Sequence, residues 1–455
     1  MFTKLKHHSS LFLLVVSVGI FAVFNALFVQ FSESLPFGHG NSAIIPLFLV
    51  GGLFLLGTIS HSLSRGTIFP SFLVALFIGI SMNSLLRPLV ENQVILNMIV
   101  TISAVYILFG GGLEISFTSF KKIVLPTLLL STVGLGLSTF MFAQGLHWVS
   151  LTAGFGMSVS VALLLGAILA STDPAAIIPV LKELKFKKER IKDIVVSESA
   201  LTDVTGTLVT LAFVAYLGVN GSFEGIGAGA KALLSLESLN FLLVESFIGA
   251  SVGVAGFLAI RFFVRQRMLR AECHADIGFF IAIPIMAYAF AALFGGSGYL
   301  ASFVAGLLVV LNERVHKTET FFNQLIEGIA KPSVFIVLGA LINISDLVEH
   351  ALFGIIAGLI FIFIIRPITV FVSLGLIGGR SKFTAKEMLF MSWVRETGVI
   401  PAVLLIQVAY SGLAAIGDPA SANMLISIGM WVIIMTLVLQ PPLTQLAARK
   451  LDIAD

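Results

Sequence analysis

Eight ionisable side chains lie within long apolar stretches of this chain. The acids are Asp173, Glu198, Asp203, Glu245 and Glu396, and the bases are Lys331, Arg366 and Arg395. A charge at membrane depth costs roughly 3 kcal/mol on insertion scales, so each one is a candidate functional residue until a structural partner explains it. Carboxylate oxygens are ligands that hard cations prefer. The acids therefore predict binding of a small cation or a proton rather than redox chemistry.

Asp173 lies beside a proline, within an apolar run that we predict to cross the membrane over residues 155–181. Proline disfavours helical geometry in the residue before it, so Pro174 interrupts the helix at Asp173, and Pro179 adds a second interruption. Secondary transporters keep their ion sites on such interrupted helices near the membrane midplane. The competing interpretation is a purely structural proline kink, which transmembrane helices tolerate.

Asp203 shares one face of a predicted helix over residues 194–217 with hydroxyl-bearing neighbours. Ser199, Thr202, Asp203 and Gly206 recur at i, i+3, i+4 and i+7, which is the spacing of one helical face. Hydroxyl and carboxylate oxygens on one face could together bind Na+ or Li+. We therefore predict that this face lines a cation cavity.

Glu198 is predicted to have a structural role. It lies about 140° of helix rotation from Asp203, so it faces a neighbouring helix instead of the cavity. A buried carboxylate is tolerable when it pairs with a guanidinium, and Arg366 falls near the middle of its own predicted span. The sequence therefore predicts an ion pair between Glu198 and Arg366.

A second interrupted helix is predicted over residues 386–412. It carries Arg395 and Glu396 at membrane depth, with a glycine and a proline soon after them. This span and the one that holds Asp173 are seven crossings apart, so they run in opposite directions as an inverted repeat requires. We expect Arg395 to tune the electrostatic potential at the site.

The composition is that of an integral membrane protein. Of 455 residues, 58% are hydrophobic and 11% are charged, whereas an ordinary soluble domain has about 25% charged residues. About 20 apolar residues in a helix cross a hydrocarbon core of roughly 30 Å. The runs predicted to do so are 11–31, 44–64, 68–86, 97–113, 125–148, 155–181, 194–217, 238–260, 276–294, 297–312, 326–344, 351–378, 386–412 and 423–441.

The distribution of basic residues predicts the orientation of these fourteen spans. With the N-terminus in the cytoplasm, all but five of the 27 Lys and Arg residues fall in the N-terminus, alternate loops and the C-terminus. The exceptions are Arg87, Lys231, Lys331, Arg366 and Arg395. Both termini are therefore expected in the cytoplasm. No stretch outside the spans is long enough to fold alone, so we predict one membrane domain over residues 1–455 without a soluble regulatory domain.

Two short motifs contain the predicted site residues. They are Ser-Thr-Asp-Pro at 171–174 and Glu-Ser-Ala-Leu-Thr-Asp at 198–203. These motifs resemble the signature of the cation/proton antiporter superfamily, and more narrowly that of NhaP-type antiporters and sodium/hydrogen exchangers. Further segments are similar to the family: Gly-Gly-Gly-Leu-Glu at 110–114, Ser-Gly-Tyr-Leu-Ala at 297–301 and Arg-Pro at 366–367. The resemblance follows nearly the whole chain in order.

The resemblance implies a fold in which a mobile six-helix bundle moves against a dimerisation domain, and hence a homodimer. It also implies roles for single residues. The family's ion-binding aspartate corresponds to Asp203, its Thr-Asp-Pro segment to Thr172, Asp173 and Pro174, its serine ligand to Ser199, and its buried Glu/Arg pair to Glu198 and Arg366. Na+ is expected to bind at Asp203, Ser199, Thr172 and Asp173.

Two departures from the family pattern bear on the ions that are exchanged. The family's Asn-Asp is here Thr202-Asp203, and its late Arg-Gly is here Arg395-Glu396. Thr202 keeps its position neutral, unlike the Asp-Asp of the electrogenic branch, so one proton per cation is expected. The additional Glu396 leaves a second proton site open. The helix at 11–31 is an addition to the thirteen spans that are commoner in this branch.

These patterns predict a secondary transporter of the inner membrane that exchanges a monovalent cation for H+ by alternating access. Na+ is the expected cation, and Li+ and K+ remain open. A monovalent cation channel is an alternative, although a channel needs a continuous polar pore. An intramembrane aspartyl hydrolase is a second alternative, since paired aspartates can cleave peptides. The Gly-x-Gly-Asp type of motif expected of such a hydrolase does not occur in the sequence.

No cofactor, nucleic acid or soluble protein partner is predicted; membrane lipids are the expected surroundings. The single cysteine, Cys273, excludes an intramolecular disulfide framework, and no Cys/His cluster indicates a zinc or iron–sulfur site. The net charge of +3 resides in short loops, where membrane orientation explains it. Lys331 is expected to extend to the membrane interface, and Glu245 to line an outer funnel.

Overall fold

The computed structural model of the chain consists of α-helices. It describes residues 12, 15–27, 44–64, 69–115, 117–172, 181, 184–269, 277–309, 321–377, 383–413 and 419–454. Within these residues no β-strand forms, and an isolated antiparallel bridge joins Phe186 to Ala454. The predicted class, an all-α polytopic membrane protein, is confirmed.

The described helices are numbered in chain order. Those of the first half are α1 (Val15–Leu27), α2 (Ile44–Ser64), α3 (Ser71–Ser81), α4 (Asn83–Glu91), α5 (Gln93–Glu114), α6 (Phe117–Leu129), α7 (Leu135–Ala153), α8 (Val159–Ala170), α9 (Glu189–Asn220) and α10 (Ile226–Leu233). Those of the second half are α11 (Leu236–Leu269), α12 (Ile277–Leu293), α13 (Gly298–Leu308), α14 (Lys331–Ala340), α15 (Ile344–Glu349), α16 (Ala351–Ile360), α17 (Arg366–Gly375), α18 (Ala385–Trp393), α19 (Val399–Gln407) and α20 (Pro419–Lys450). Wider π-helical turns occupy Leu130–Gly134, Ile326–Ala330, Phe361–Ile365 and Val408–Leu413.

Many of these helices are suited to cross a membrane. In the described part of the chain, eight segments are long and apolar enough: Leu47–Ser64, Gln93–Glu114, Phe120–Ala153, Glu189–Asn220, Leu236–Phe263, Phe321–Ala340, Ala351–Gly375 and Ala420–Lys450. α3 and α4 pass the same test together, but the chain bends by 92° between them. α1, α8, α12, α13 and Val399–Tyr410 are shorter apolar helices. Each predicted span overlaps one of these segments within the described residues, while the exact bounds and the number of crossings stay predictions.

The chain divides into two compact units, of which the first comprises Met1–Ser103 and Gln324–Glu349. Here α3 crosses α14 at close range. A Cβ atom added to Gly79 or to Gly339 would overlap a backbone carbonyl group of the opposite helix. The two glycines therefore allow the helix backbones to touch, as small residues do in membrane proteins.

The second unit comprises Ala104–Asn323 and His350–Asp455, and it contains a similar crossing between α5 and α13. Gly112 and Gly306 each approach a carbonyl oxygen of the opposite helix. Gly306 lies 227 residues after position 79, and 227 residues likewise separate Gly112 from position 339. The two halves of the chain thus repeat one glycine pattern, in agreement with an internal repeat.

Two of the π-helical turns lie directly before prolines. Pro332 follows the turn at Ile326–Ala330, and Pro367 follows the turn at Phe361–Ile365. A proline inside a helix lacks its hydrogen-bond donor, and its ring clashes with the carbonyl group one turn earlier. A wider turn relieves that clash. In both places the wide turn is followed by the residue before the proline, which is Lys331 in one case and Arg366 in the other.

Beyond α20, the chain attaches to the segment between α8 and α9. The amide of Lys187 donates a hydrogen bond to the carbonyl oxygen of Ile453 at 3.0 Å, and the Lys187 ammonium forms an ion pair with Asp452. The Ile453 side chain belongs to a buried apolar cluster with side chains of α9, α17 and α18. We refer to residues 184–188 and 451–454 together as the C-terminal clasp.

Candidate functional site

α8 ends at the candidate site. Its residues from 160 to 170 are buried, and the backbone leaves helical geometry at Ser171, where φ is −66° and ψ is 137°. The predicted interruption at Asp173 and Pro174 lies outside the described residues. Since the helix has already ended, backbone groups of Ser171 and Thr172 are available to partners other than their own helix.

α9 supplies the acid of the site. Asp203 lies near the middle of this 32-residue helix, about 21 Å along its axis from the first residue. Its side chain is almost fully enclosed, with 6% of the residue exposed. Ser199 and Thr202 are buried as well, as the predicted helical face requires. A carboxylate is thus placed deep in the protein beside hydroxyl groups.

Oxygen atoms from the end of α8 and from α9 meet at this point. The Ser199 hydroxyl donates a hydrogen bond to the carbonyl oxygen of Thr172. The Thr202 hydroxyl donates to the carbonyl oxygen of Ser199 at 2.8 Å, and its oxygen lies 3.4 Å from the hydroxyl oxygen of Thr172. The structure therefore brings together four predicted site residues: Thr172, Ser199, Thr202 and Asp203.

Ser171 also belongs to the site, although the sequence patterns did not indicate a role for it. Its hydroxyl donates a hydrogen bond to Oδ1 of Asp203 at 2.6 Å, and the serine is completely buried. Gly206 makes this approach possible, because a Cβ atom there would lie 2.9 Å from the Cβ atom of Ser171. The available signal was a hydroxyl residue directly before the Thr-Asp-Pro motif.

Glu198 pairs with Arg395, so the predicted pairing with Arg366 was wrong. The two side chains form an ion pair in which Glu198 is 0% and Arg395 is 2% exposed. Arg395 can reach α9 because α18 ends at Trp393 and the next residues are not helical. Opposite charges in contact neutralise each other, so the pair adds no net charge to the neighbourhood of Asp203.

Arg366 is buried in a different environment. Its guanidinium group lies over the aromatic ring of Phe361, 5.1 Å from the ring centroid. Among the described residues, its Nε and Nη2 atoms have no hydrogen-bond partner. A cation–π contact stabilises a desolvated guanidinium in part. The two buried arginines thus have different contacts: Arg395 pairs with Glu198, and Arg366 lies over an aromatic ring.

The second interruption, between α18 and α19, is held by side chains of α20. The Thr397 amide donates a hydrogen bond to Oγ1 of Thr436 at 3.2 Å, and the hydroxyl oxygens of these two threonines lie 2.7 Å apart. Gln440 donates to the carbonyl oxygen of Trp393 at 2.8 Å. These bonds replace those that an unbroken helix would provide. Glu396 is completely buried in the same interruption.

Two further charged residues have local explanations. Lys331 is 7% exposed and forms an ion pair with Glu327 at 2.6 Å. The prediction that its side chain extends to the membrane interface was therefore wrong. Glu245 is half-buried on α11; its carbonyl oxygen accepts a hydrogen bond from the Ser297 amide, and its Oε2 has no partner among the described residues.

Among the described residues, no three His, Cys, Asp or Glu side chains cluster as a metal site.

Comparison with known families gives a match over most of the chain. Residues 51–450 match the family described as "Sodium/hydrogen exchanger, transmembrane". The K(+)/H(+) antiporter NhaP of Alkalimonas amylolytica is 27% identical over 411 residues, which cover 87% of this chain and 65% of that protein. The K(+)/H(+) antiporter NhaP2 of Shewanella sp. (strain ANA-3) is 26% identical over 75% of this chain and 55% of that protein. The chain thus spans less than two thirds of these relatives.

A relative of more similar length comes from an archaeon. The Na(+)/H(+) antiporter 1 of Methanocaldococcus jannaschii is 25% identical over 382 residues, which cover 79% of this chain and 82% of that protein. The solved structure of the sodium proton antiporter MjNhaP1 from the same organism, at pH 8, superposes with a TM-score of 0.60 over 97% of this chain and 99% of that one. At 21% identity, this likeness shows that the fold is shared.

Proposed function

The chain belongs to the sodium/hydrogen exchanger family, and from this premise we propose that it exchanges a monovalent cation for H+ across the membrane. The observation that carries the proposal is the buried carboxylate of Asp203 beside the C-terminal end of α8. Oxygens of Thr172, Ser199 and Thr202 lie in the same cluster. Carboxylate, hydroxyl and carbonyl oxygens are the ligands that hard monovalent cations prefer.

Exchange follows from competition at one acid. Asp203 binds either a proton or a cation, because its enclosed carboxylate has room for a single compensating positive charge. Each occupied form is close to neutral and can move across the membrane barrier, whereas the empty anion cannot. Asp173 holds charge and water near the site, and Thr172 and Ser199 supply oxygen ligands.

We further propose that one proton is exchanged per cation. The ion pair of Glu198 with Arg395 is internally neutral, and Thr202 contributes a hydroxyl rather than a second carboxylate. Asp203 therefore changes charge state alone in the cycle. Glu396 is the residue whose protonation would add a second proton and make transport electrogenic.

The proposed cycle is alternating access. The end of α8 and the interruption between α18 and α19 both lie in the second unit, and broken helices line the ion sites of secondary transporters. A homodimer in the inner membrane with both termini in the cytoplasm completes the proposal, and no resident cofactor is needed. The family consists of transporters, so the alternative of an intramembrane hydrolase finds no support.

We propose that the transported cation is Na+. K+ and Li+ are the alternatives that the flux assay must compare with it. Relatives named as K(+)/H(+) antiporters and one named as a Na(+)/H(+) antiporter match this chain at comparable identity. Ion preference depends on oxygen distances around the bound ion, so it requires a direct assay.

The test is a flux assay with the full chain in liposomes that contain a pH-sensitive dye. A pH gradient is imposed and Na+, Li+ or K+ is added outside. The Na+ and Li+ measurements are repeated with valinomycin at equal K+ on both sides. We expect a cation to collapse the gradient, and valinomycin to leave the initial rate unchanged. Asp203→Asn should abolish the response, and the matched variant Asp193→Asn, ten residues earlier on α9, should retain it.

A response that persists in Asp203→Asn would remove that residue from the proposal. A rate that changes with valinomycin would instead indicate a second proton, and Glu396→Gln would then be expected to restore electroneutral exchange. If no cation moves protons through the wild-type protein, exchange itself is disproved and a passive cation channel becomes the alternative to measure.

A further inference from the structure

The hydrogen bond between Ser171 and Asp203 joins the C-terminal end of α8 to the acid on α9. Both residues are buried, and the oxygen atoms lie 2.6 Å apart with the serine as donor. Gly206 leaves the space that this contact needs. Three features of the chain therefore converge on one short hydrogen bond: the end of a helix, a glycine on the facing helix and a fully enclosed serine.

A hydroxyl donor binds an ionised carboxylate more strongly than a protonated carboxyl group. A hydrogen bond to an ionised carboxylate is shorter and about twice as strong as a bond between neutral groups. A serine donor at Asp203 thus stabilises the ionised acid more than the protonated acid. The ionised acid is the form that binds a cation, so the donor acts against the proton in the competition.

We propose that Ser171 sets the balance between cation and proton at Asp203. The inference rests on the proposed exchange function and deepens it, because it names the group that determines at which pH a cation displaces the proton. Ser171 is a positioning residue for the acid. Its loss should weaken cation binding where protons compete and have little effect where they do not.

Other charged groups on elements that pack against α9 could also influence this competition. Glu198 and Arg395 neutralise each other, Glu396 is buried in the second interruption, and Asp173 lies outside the described residues. The remaining charged side chains on these elements are mostly exposed: Lys121, Lys122, Lys231, Glu237, Arg261, Arg265 and Lys386. His147 and Glu245 are half-buried, and Glu387 is paired with Lys188. Within the described part of the chain, the Ser171 hydroxyl bonds to Asp203 and to none of these groups.

The experiment compares Ser171→Ala with Ser138→Ala in the purified full chain. Ser138 is a matched control, because it is completely buried and its hydroxyl has no hydrogen-bond partner among the described residues. Equilibrium binding of radioactive Na+ and K+ is measured in detergent at two pH values two units apart, and the KM for exchange is measured in liposomes at the same values. Ser171→Cys serves as a second variant that retains the size and a weaker donor.

For Ser171→Ala we expect cation affinity about tenfold weaker at the lower pH and within about twofold of wild type at the higher pH. Ser171→Cys should lie between, and Ser138→Ala should match wild type. An equal loss at both pH values, or no loss at either, would overturn the role of Ser171. If wild type binds the cation but exchanges no protons, the proposed function fails while the two binding curves still decide the role of Ser171.

Discussion

Glu198 and Arg395 form an ion pair in which neither side chain is more than 2% exposed. Arg395 comes from the interruption between α18 and α19, whereas Glu198 lies on α9, five residues before Asp203. The pair therefore ties the helix that carries the candidate acid to the second interruption. Because opposite charges in contact offset each other, we expect this pair to stabilise the fold rather than to bind the transported ion.

Removal of one partner should destabilise the protein strongly. Glu198→Gln leaves the Arg395 charge buried without compensation, and such a loss costs about 3–5 kcal/mol. We expect a clear fall in melting temperature, measured on detergent-solubilised protein. The double variant Glu198→Gln/Arg395→Gln should recover part of the loss, because no buried charge remains.

A double-mutant cycle with Arg366→Gln provides the control for this pairing. Arg366 lies over Phe361, so its replacement should add to that of Glu198 without coupling. Strong coupling between Glu198 and Arg366, together with weak coupling between Glu198 and Arg395, would restore the pairing that the sequence first predicted.

The glycine crossing of α5 and α13 should tolerate no side chain. In Gly306→Ala the new Cβ atom would overlap the carbonyl oxygen of Phe109, and overpacking of this kind costs about 1–3 kcal/mol. Gly136→Ala on α7 is the matched control, because nothing lies within 4 Å of its added Cβ atom. Alanine there should stabilise the helix by about 0.5–1 kcal/mol. Equal melting temperatures for the two variants would show that α5 and α13 are not in backbone contact.

The interruption between α18 and α19 should open more often when Thr436 of α20 is replaced. Thr436→Val removes the acceptor of the Thr397 amide, and a buried donor without a partner costs about 1–3 kcal/mol. Hydrogen–deuterium exchange of residues 394–398 should therefore accelerate. Thr444→Val is the control, since its hydroxyl bonds to Gln440 within the same helix. Unchanged exchange at 394–398 in Thr436→Val would mean that this bond does not hold the interruption.

Hydrophobic runs and helical periodicity predicted most of the architecture. Apolar length alone located the helical segments, because a membrane leaves few alternatives to a helix. The spacing of Ser199, Thr202 and Asp203 predicted that they share a face, and the structure places them together. These results depend on local geometry, which a sequence specifies directly.

Contacts between distant segments were harder to predict. Helix rotation indicated that Glu198 faces a neighbour, but it could not distinguish between two buried arginines, and the choice of Arg395 depends on where α18 ends. Ser171 was overlooked because Pro174 placed the expected interruption later than the actual end of α8. Thr436 and Gln440 carry only the weak signal of polar residues four apart in an apolar helix.

The ion pair between Lys187 and Asp452 in the C-terminal clasp should persist throughout the neutral pH range. The hydrogen bond and the positive charge of Lys187 hold the pKa of Asp452 below its ordinary value. A carboxyl group with a lowered pKa contributes its stabilisation above the unfolded-state pKa and loses it as the pH falls through the folded-state pKa. The ion pair is therefore complete between about pH 5 and 8. Any pH dependence of exchange in that interval should have another origin, such as Asp203.

The variant Asp452→Asn tests whether the C-terminal clasp influences the transport site. Because the pair is exposed and screened by salt, we expect a small effect: faster hydrogen exchange at the Lys187 amide, with an unchanged pH profile of cation-driven proton flux. High salt should produce the same local opening in the wild-type protein. A pH profile that moves in Asp452→Asn, while Asp193→Asn leaves it in place, would instead make the clasp part of the pH response.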